Sequence, residues 1–352
     1  MKKIFKKVLK VFKWVIATII ILIAIFFTSD YFTSTDSIDS KSGIVEMGTV
    51  KIGGIDQWVL IRGENRENPI IIFLHGGPGA SETAFLRKYN SELEKHFTIV
   101  FWDQRGTAKS YDETIPQKTM NLNQFLSDTH ELILYTRNKL NKKKVTLMGH
   151  SWGTILGLLT AKKYPELVDN YIGIGQVVNT VKGEEISFQY ALDQAKKANN
   201  QEAINELESI GPPENGMYKK GGFWKQRKWL LEYGGERYGK TGVIDAVFDI
   251  LLSDEYNFFD LIDFTKSSGF SYKLRREEKK IDFFEQIKSV EVPVYFISGK
   301  YDYNTPKTLV KEYSEKLKAP IVKYYEFEKS SHSPIFEEPK KFNQLIAGLL
   351  KK

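Results

Sequence analysis

The 352-residue chain is long enough for one large α/β domain with an inserted subdomain, and its 41% hydrophobic, 13% aromatic and 27% charged residues are those of a globular protein. The net charge of +7 does not mark a nucleic-acid binder, because six lysines (Lys2, Lys3, Lys6, Lys7, Lys10 and Lys13) stand in the first thirteen residues and the other 45 basic residues face 44 acidic ones. Cysteine is absent, which excludes disulfides, thiolate zinc sites and a cysteine nucleophile.

Residues 1–12 read as a basic cytoplasmic tail and 13–29 as a transmembrane signal-anchor helix. The uncharged run 14–29 is sixteen residues long, somewhat short of the roughly 20 that a bilayer core asks for. Val11 and Phe12 extend its apolar surface, Lys13 can snorkel, and Tyr31 and Phe32 supply interfacial aromatics on the far side. A cleaved signal peptide is the rival expectation, although no A-x-A site appears; a buried soluble helix is the third. The basic flank places the N-terminus in the cytoplasm and the body outside. Residues 30–44, rich in Ser, Thr and Asp, read as a linker.

Nearly continuous apolar runs then recur at 70–74, 98–102, 145–148, 171–174, 292–297 and 321–327, as expected of strands buried on both faces of a mostly parallel sheet. Helical patterns at 81–96, 123–140 and 152–164 separate the first four. This alternation predicts a doubly wound α/β fold. Residues 176–291 interrupt the rhythm with helical and loop-like sequence, so the core is expected to comprise 45–175 and 292–352, with a mostly helical cap inserted over the sheet's carboxyl edge.

Three motifs fall at strand ends. His75-Gly76-Gly77-Pro78-Gly79 follows the run IIIFL, counted as the third strand of the body, and its glycines let backbone approach a substrate. Asp103-Gln104-Arg105-Gly106 follows TIVFW, where Arg105 is expected to order loops beside the site or to form a purely structural ion pair. Gly149-His150-Ser151-Trp152-Gly153 follows VTLM and opens a helix. A G-x-S-x-G in that strand-turn-helix setting is a nucleophile elbow with Ser151 as the attacking group. The amides of Trp152 and Gly77, or of Gly76 in place of Gly77, can hold the oxyanion. Among five histidines only His332 lies after Ser151, which makes it the candidate base, and Asp302, after the strand VPVYFIS, is the candidate orienting acid. Such a triad calls for no cofactor and no metal.

Together HGGPG, WDQRG, GHSWG and the later Asp and His resemble the α/β hydrolases related to prolyl aminopeptidase (proline iminopeptidase). The similarity covers about 45–175 and 292–345. The resemblance implies a helical cap and removal of an N-terminal residue, often proline, from short peptides; an esterase or lipase with the same triad is the alternative, and a binding protein on an inactive hydrolase fold the third. His150 and Ala108 depart from the family's pattern. Glu184, Glu185, Glu232 and Glu236 are the cap carboxylates available to a peptide amine. The cap aromatics, Phe223, Trp224, Trp229 and Tyr256 among them, are expected either to wall an apolar pocket or to pack the cap's own interior.

Overall fold

The computed structural model describes residues 2–29, 33–219, 221–239 and 243–350. Helix α1 (Lys2–Ser29) contains the segment expected to span a membrane. The helix forms, but the side chains of residues 22 and 25–29 lie outside the described residues, and among those described no helix is long and apolar enough to cross a membrane. The uncharged run 14–29 is sixteen residues long, somewhat under a full bilayer crossing, and with those side chains outside the described residues the expected span is not shown.

The linker is not a free tether. From residue 33 it lies on the body: the Ser34 amide donates to the Asp254 carbonyl at 2.9 Å, and Arg62 Nη1 donates to Thr35 Oγ1 at 2.7 Å and to the Asp36 carbonyl at 2.5 Å. Arg62 is buried against Glu94, which also pairs with Arg87, and Arg87 reaches Glu255 at 2.8 Å. Residues 33–36 thereby complete a buried ionic network shared by core and cap.

The body opens with strands β1 (Ile44–Ile52) and β2 (Ile55–Gly63), an antiparallel hairpin closed by Gly53 and Gly54 at φ 56° and 81°. Two consecutive positive φ angles are what a two-residue primed turn needs, and glycine adopts them without steric cost. The strands β3 (Ile70–Leu74), β4 (Thr98–Trp102), β5 (Val145–His150), β6 (Val168–Ile174), β7 (Val294–Gly299) and β8 (Val322–Phe327) complete one sheet of order β1-β2-β4-β3-β5-β6-β7-β8. From β4 to β8 every neighbouring pair is parallel. The run IIIFL is the third strand, as expected.

Helices cover both faces, which is why β3, β4, β5 and β7 are buried throughout. On one face α3 (Leu122–Leu140), α4 (Trp152–Lys163) and α12 (Lys307–Lys316) pack Phe125, Leu132, Ile155, Leu156, Val310 and Tyr313 against Ile72, Leu147 and Phe296. On the other, α2 (Thr83–Asn90), α13 (Pro334–Glu337) and α14 (Pro339–Leu349) pack Leu86, Ile335, Phe342 and Ile346 against Phe73, Met148 and Ile297. The cap holds α5 (Thr180–Lys197), α6 (Gln201–Ile210), α7 (Gly222–Glu232), α8 (Val243–Leu251), α9 (Phe258–Ser271), α10 (Arg275–Glu278) and α11 (Phe283–Gln286). Its first three helices share a small interior around Phe188, Leu207 and Trp229. Near its end, Phe283 and Ile287 already belong to the main core.

Candidate active site

Strand β5 delivers Ser151 into a turn at φ 52°, ψ −120°, and α4 begins at the next residue. A positive φ strains any residue with a Cβ, and here the neighbouring glycines make it possible. A Cβ on Gly149 would stand 2.5 Å from the Gly153 carbonyl oxygen, and one on Gly153 only 1.9 Å from that of Leu74. The elbow can fold only with glycine at both places. Ser151 Oγ makes no hydrogen bond to a described residue, and it opens into a cavity of about 400 Å³ lined also by Gly76, Gly77, Trp152 and His332.

His332 follows β8, and Asp302 follows β7. Asp302 Oδ2 lies 3.1 Å from His332 Nδ1 and accepts from Thr305 Oγ1 at 2.9 Å, while its Oδ1 accepts from the amides of Asn304 (3.0 Å) and Thr305 (2.9 Å). The carboxylate is buried and fully engaged, which fixes its orientation toward the imidazole. His332 Nε2 is buried without a partner among the described residues, so no hydrogen bond joins it to Ser151 in this structure. Such contacts tighten when substrate binds.

The three motifs meet through groups that sequence reasoning did not single out. Gln104 bridges them: its amide donates to His75 Nε2 at 3.1 Å, its side chain donates to the His75 carbonyl at 3.0 Å, and it accepts from Trp152 Nε1 at 3.1 Å. Burial pushes the His75 pKa down to about 4, against the opposing bond to the Gly76 carbonyl, so the ring is neutral and its Nε2 free to accept. Arg105 is set apart from the cavity, in a buried bidentate pair with Asp128 (2.7 and 3.0 Å) and on the Gly53 carbonyl at 2.8 Å. Of its two expected roles the structure shows the ion pair, which ties α3 to the β1–β2 turn.

His150, immediately before Ser151, presents Nδ1 to Glu82 Oε1 at 2.7 Å and Nε2 to the His332 carbonyl at 3.1 Å. Both partners are acceptors, so both ring nitrogens must donate. Burial opposes a charge on His150, yet the Glu82 carboxylate outweighs it and raises the pKa; Glu82 is in turn held below its ordinary value, since His150 overcomes its own burial. Glu82 Oε2 accepts the Gly76 amide at 2.9 Å. That amide is occupied, whereas those of Gly77 and Trp152 have no acceptor among the described residues. Glu82 carries no periodic or motif signal, and only the tertiary fold brings it to His150.

The cap roofs the cavity with α5, α7 and α10. Of the four expected cap carboxylates, Glu184 and Glu236 line it; Glu185 and Glu232 do not. Glu278, which the sequence did not suggest, lines it too, and burial raises its pKa. Arg227 pairs with Glu184 Oε1 at 2.6 Å, and Glu184 Oε2 is buried with no hydrogen bond drawn to it among the described residues. Phe223 and Trp224 face the cavity, while Trp229 is interior to the cap and Tyr256 donates to Asp103 at 2.8 Å. The aromatics thus divide between wall and packing. No group of three or more metal-ligating side chains occurs among the described residues.

A family model described as alpha/beta hydrolase fold matches residues 69–339. The chain is 34% identical to "Probable aminopeptidase YbaC" of Bacillus subtilis over 88% of its own length and 98% of that protein, and 27% identical to a proline iminopeptidase of Heyndrickxia coagulans over 82% and 92%. Among solved structures, a proline iminopeptidase-related protein of Thermus thermophilus superposes with a TM-score of 0.60 at 18% identity, covering 87% of this chain and 97% of that one, a likeness of fold.

Proposed function

The chain belongs to the α/β-hydrolase family, with relatives named aminopeptidase and proline iminopeptidase, and from that premise we propose that it is a serine aminopeptidase of the prolyl type acting on short peptides. Ser151 Oγ attacks the carbonyl of the N-terminal residue while His332 Nε2 takes its proton, and Asp302 holds the imidazole and stabilises its charged form. The amides of Gly77 and Trp152, with the positive end of α4 behind them, receive the oxyanion. His332 then gives the proton to the leaving amine, and water discharges the acyl-enzyme by the same steps.

The observation that carries this reading is the acidic lining of the cavity that holds Ser151, where the cap brings Glu184, Glu236 and Glu278 together. Carboxylates on a cleft offer a substrate ammonium charge-assisted partners. An esterase for acyl chains would want an uncharged tunnel, whereas Glu184, Glu236, Glu278, Arg227, Arg237 and Arg275 line this one. Assay against proline 4-nitroanilide and p-nitrophenyl esters of several chain lengths tests it. Glu184→Gln should lower kcat/KM for the anilide by on the order of 10- to 100-fold and barely alter p-nitrophenyl acetate. Ester turnover with no anilide cleavage would establish the esterase instead.

For the N-terminus we propose an uncleaved anchor with the catalytic body outside the cytoplasm. Its supports are the six-lysine flank, the uncharged run 14–29 and the exposed Trp14, Ile16, Ile19 and Ile20 of α1. Removing residues 1–32 should release the protein from the membrane fraction without lowering its Tm. Removing 1–41 strips Arg62 of two acceptors and should cost about 1–3 kcal/mol more, a Tm several degrees lower by calorimetry. Equal melting of the two truncations would mean that the strap at 33–36 is energetically idle, and a soluble full-length chain would exclude the anchor.

A further inference from the structure

The cap loop at 233–239, Tyr-Gly-Gly-Glu-Arg-Tyr-Gly, is stitched to the loops that carry the acid and the base. The amide of Tyr303 donates to the Gly235 carbonyl at 2.9 Å, the amide of His332 to that of Glu236 at 3.2 Å, and Ser331 Oγ to that of Gly234 at 2.5 Å. The Tyr238 amide closes the set on Glu337 Oε1 at 2.6 Å. Arg237 sits in the middle of this fixed segment, half-buried and lining the cavity.

Its guanidinium differs from the other two on the cavity. Arg227 is bound to Glu184 at 2.6 Å and Arg275 lies 3.8 Å from Glu278, and both stack on Phe223, at 4.5 and 3.8 Å from the ring centre. No carboxylate of a described residue comes within ion-pairing distance of Arg237. Glu337, the half-buried acid at the end of α13, is already engaged by the amides of Tyr238, Ser331 and Ser333. A half-desolvated guanidinium with five donors and no acceptor is a carboxylate site awaiting its ligand.

Position indicates which carboxylate. His332 hands its proton to the leaving amine, so the leaving group lies on the side of the cavity next to the base, where the Glu236 carbonyl holds the His332 amide and Arg237 follows. In a dipeptide the leaving group is a free amino acid, whose carboxylate is one residue, about 3.5 Å, beyond the scissile nitrogen. Each added residue carries that carboxylate further away. We propose that Arg237 binds the C-terminal carboxylate of the substrate, making this enzyme selective for dipeptides with a free C-terminus. The inference rests on the aminopeptidase reading and names the substrate class within it.

The full-length protein is assayed on three probes: Pro-Gly, Pro-Gly amide and proline 4-nitroanilide. Wild type should favour Pro-Gly over its amide by on the order of 10-fold or more in kcat/KM. Arg237→Gln should lower kcat/KM for Pro-Gly by on the order of 10- to 100-fold while changing the amide and the anilide by less than about threefold, and Arg237→Lys should recover part of the loss. Anilide cleavage with no preference for Pro-Gly over its amide, or an equal loss on all three substrates in Arg237→Gln, overturns the assignment of Arg237 alone. Absence of turnover on all three overturns the aminopeptidase reading, and this proposal with it.

Discussion

Ser151→Ala is expected to abolish turnover, with a loss in kcat on the order of 10⁴ or more, and to leave the fold intact. The asymmetry follows from the elbow. Alanine keeps the Cβ that already stands at φ 52°, so the backbone strain is unchanged, and the hydroxyl makes no hydrogen bond to a described residue whose loss would orphan a partner. Stability should therefore change by less than about 0.5 kcal/mol. A fluorophosphonate probe should label the wild type at this serine and leave the variant unlabelled, because only an activated serine is phosphonylated. Residual activity within tenfold of wild type would reject Ser151 as the nucleophile.

His332→Ala should cost nearly as much, because no other group is placed to take the serine's proton. His150 is the nearest substitute, its ring centre 5.0 Å from that of His332, but it has no free nitrogen: Glu82 holds one and the His332 carbonyl the other. Asp302→Asn should cost less, on the order of 10² to 10⁴. The amides of Asn304 and Thr305 select the carbonyl oxygen of an asparagine at the Oδ1 position, which turns its NH2 toward His332 Nδ1. That ring nitrogen must then accept, the proton moves to Nε2, and the base can no longer receive the serine's proton. Measured kcat/KM for both variants decides the matter; wild-type rates in His332→Ala would overturn the triad.

The chemistry at the strand ends was legible because it is local. A strand, a glycine turn and a helix leave a signature within ten residues, as at Ser151, and the order of nucleophile, acid and base along the chain left His332 as the one histidine able to serve. What escaped notice is nonlocal. Glu82 and His150 are 68 residues apart, and Glu278 reaches the cavity from the far end of the cap. Gln104 stands one position from the arginine that drew attention, yet it is the residue that binds two motifs together. The β1–β2 hairpin could have been located: alternating residues in IVEMGTVKI flank a Gly-Gly pair, but one solvated face makes its hydrophobic signal weaker than that of the buried parallel strands. The linker's docking is hidden for a similar reason, since Thr35 and Asp36 are polar and nothing in their identity reveals a buried arginine waiting 26 residues later.

The stitching of the loop at 233–239 constrains how molecules reach and leave the active centre. A cap that swung away as one body would break the bonds to Tyr303, Ser331, His332 and Glu337 together, and in doing so would release the backbone that presents the base. An open enzyme would be a disarmed one. Any opening of the cap that keeps the base in place must therefore leave this loop where it is.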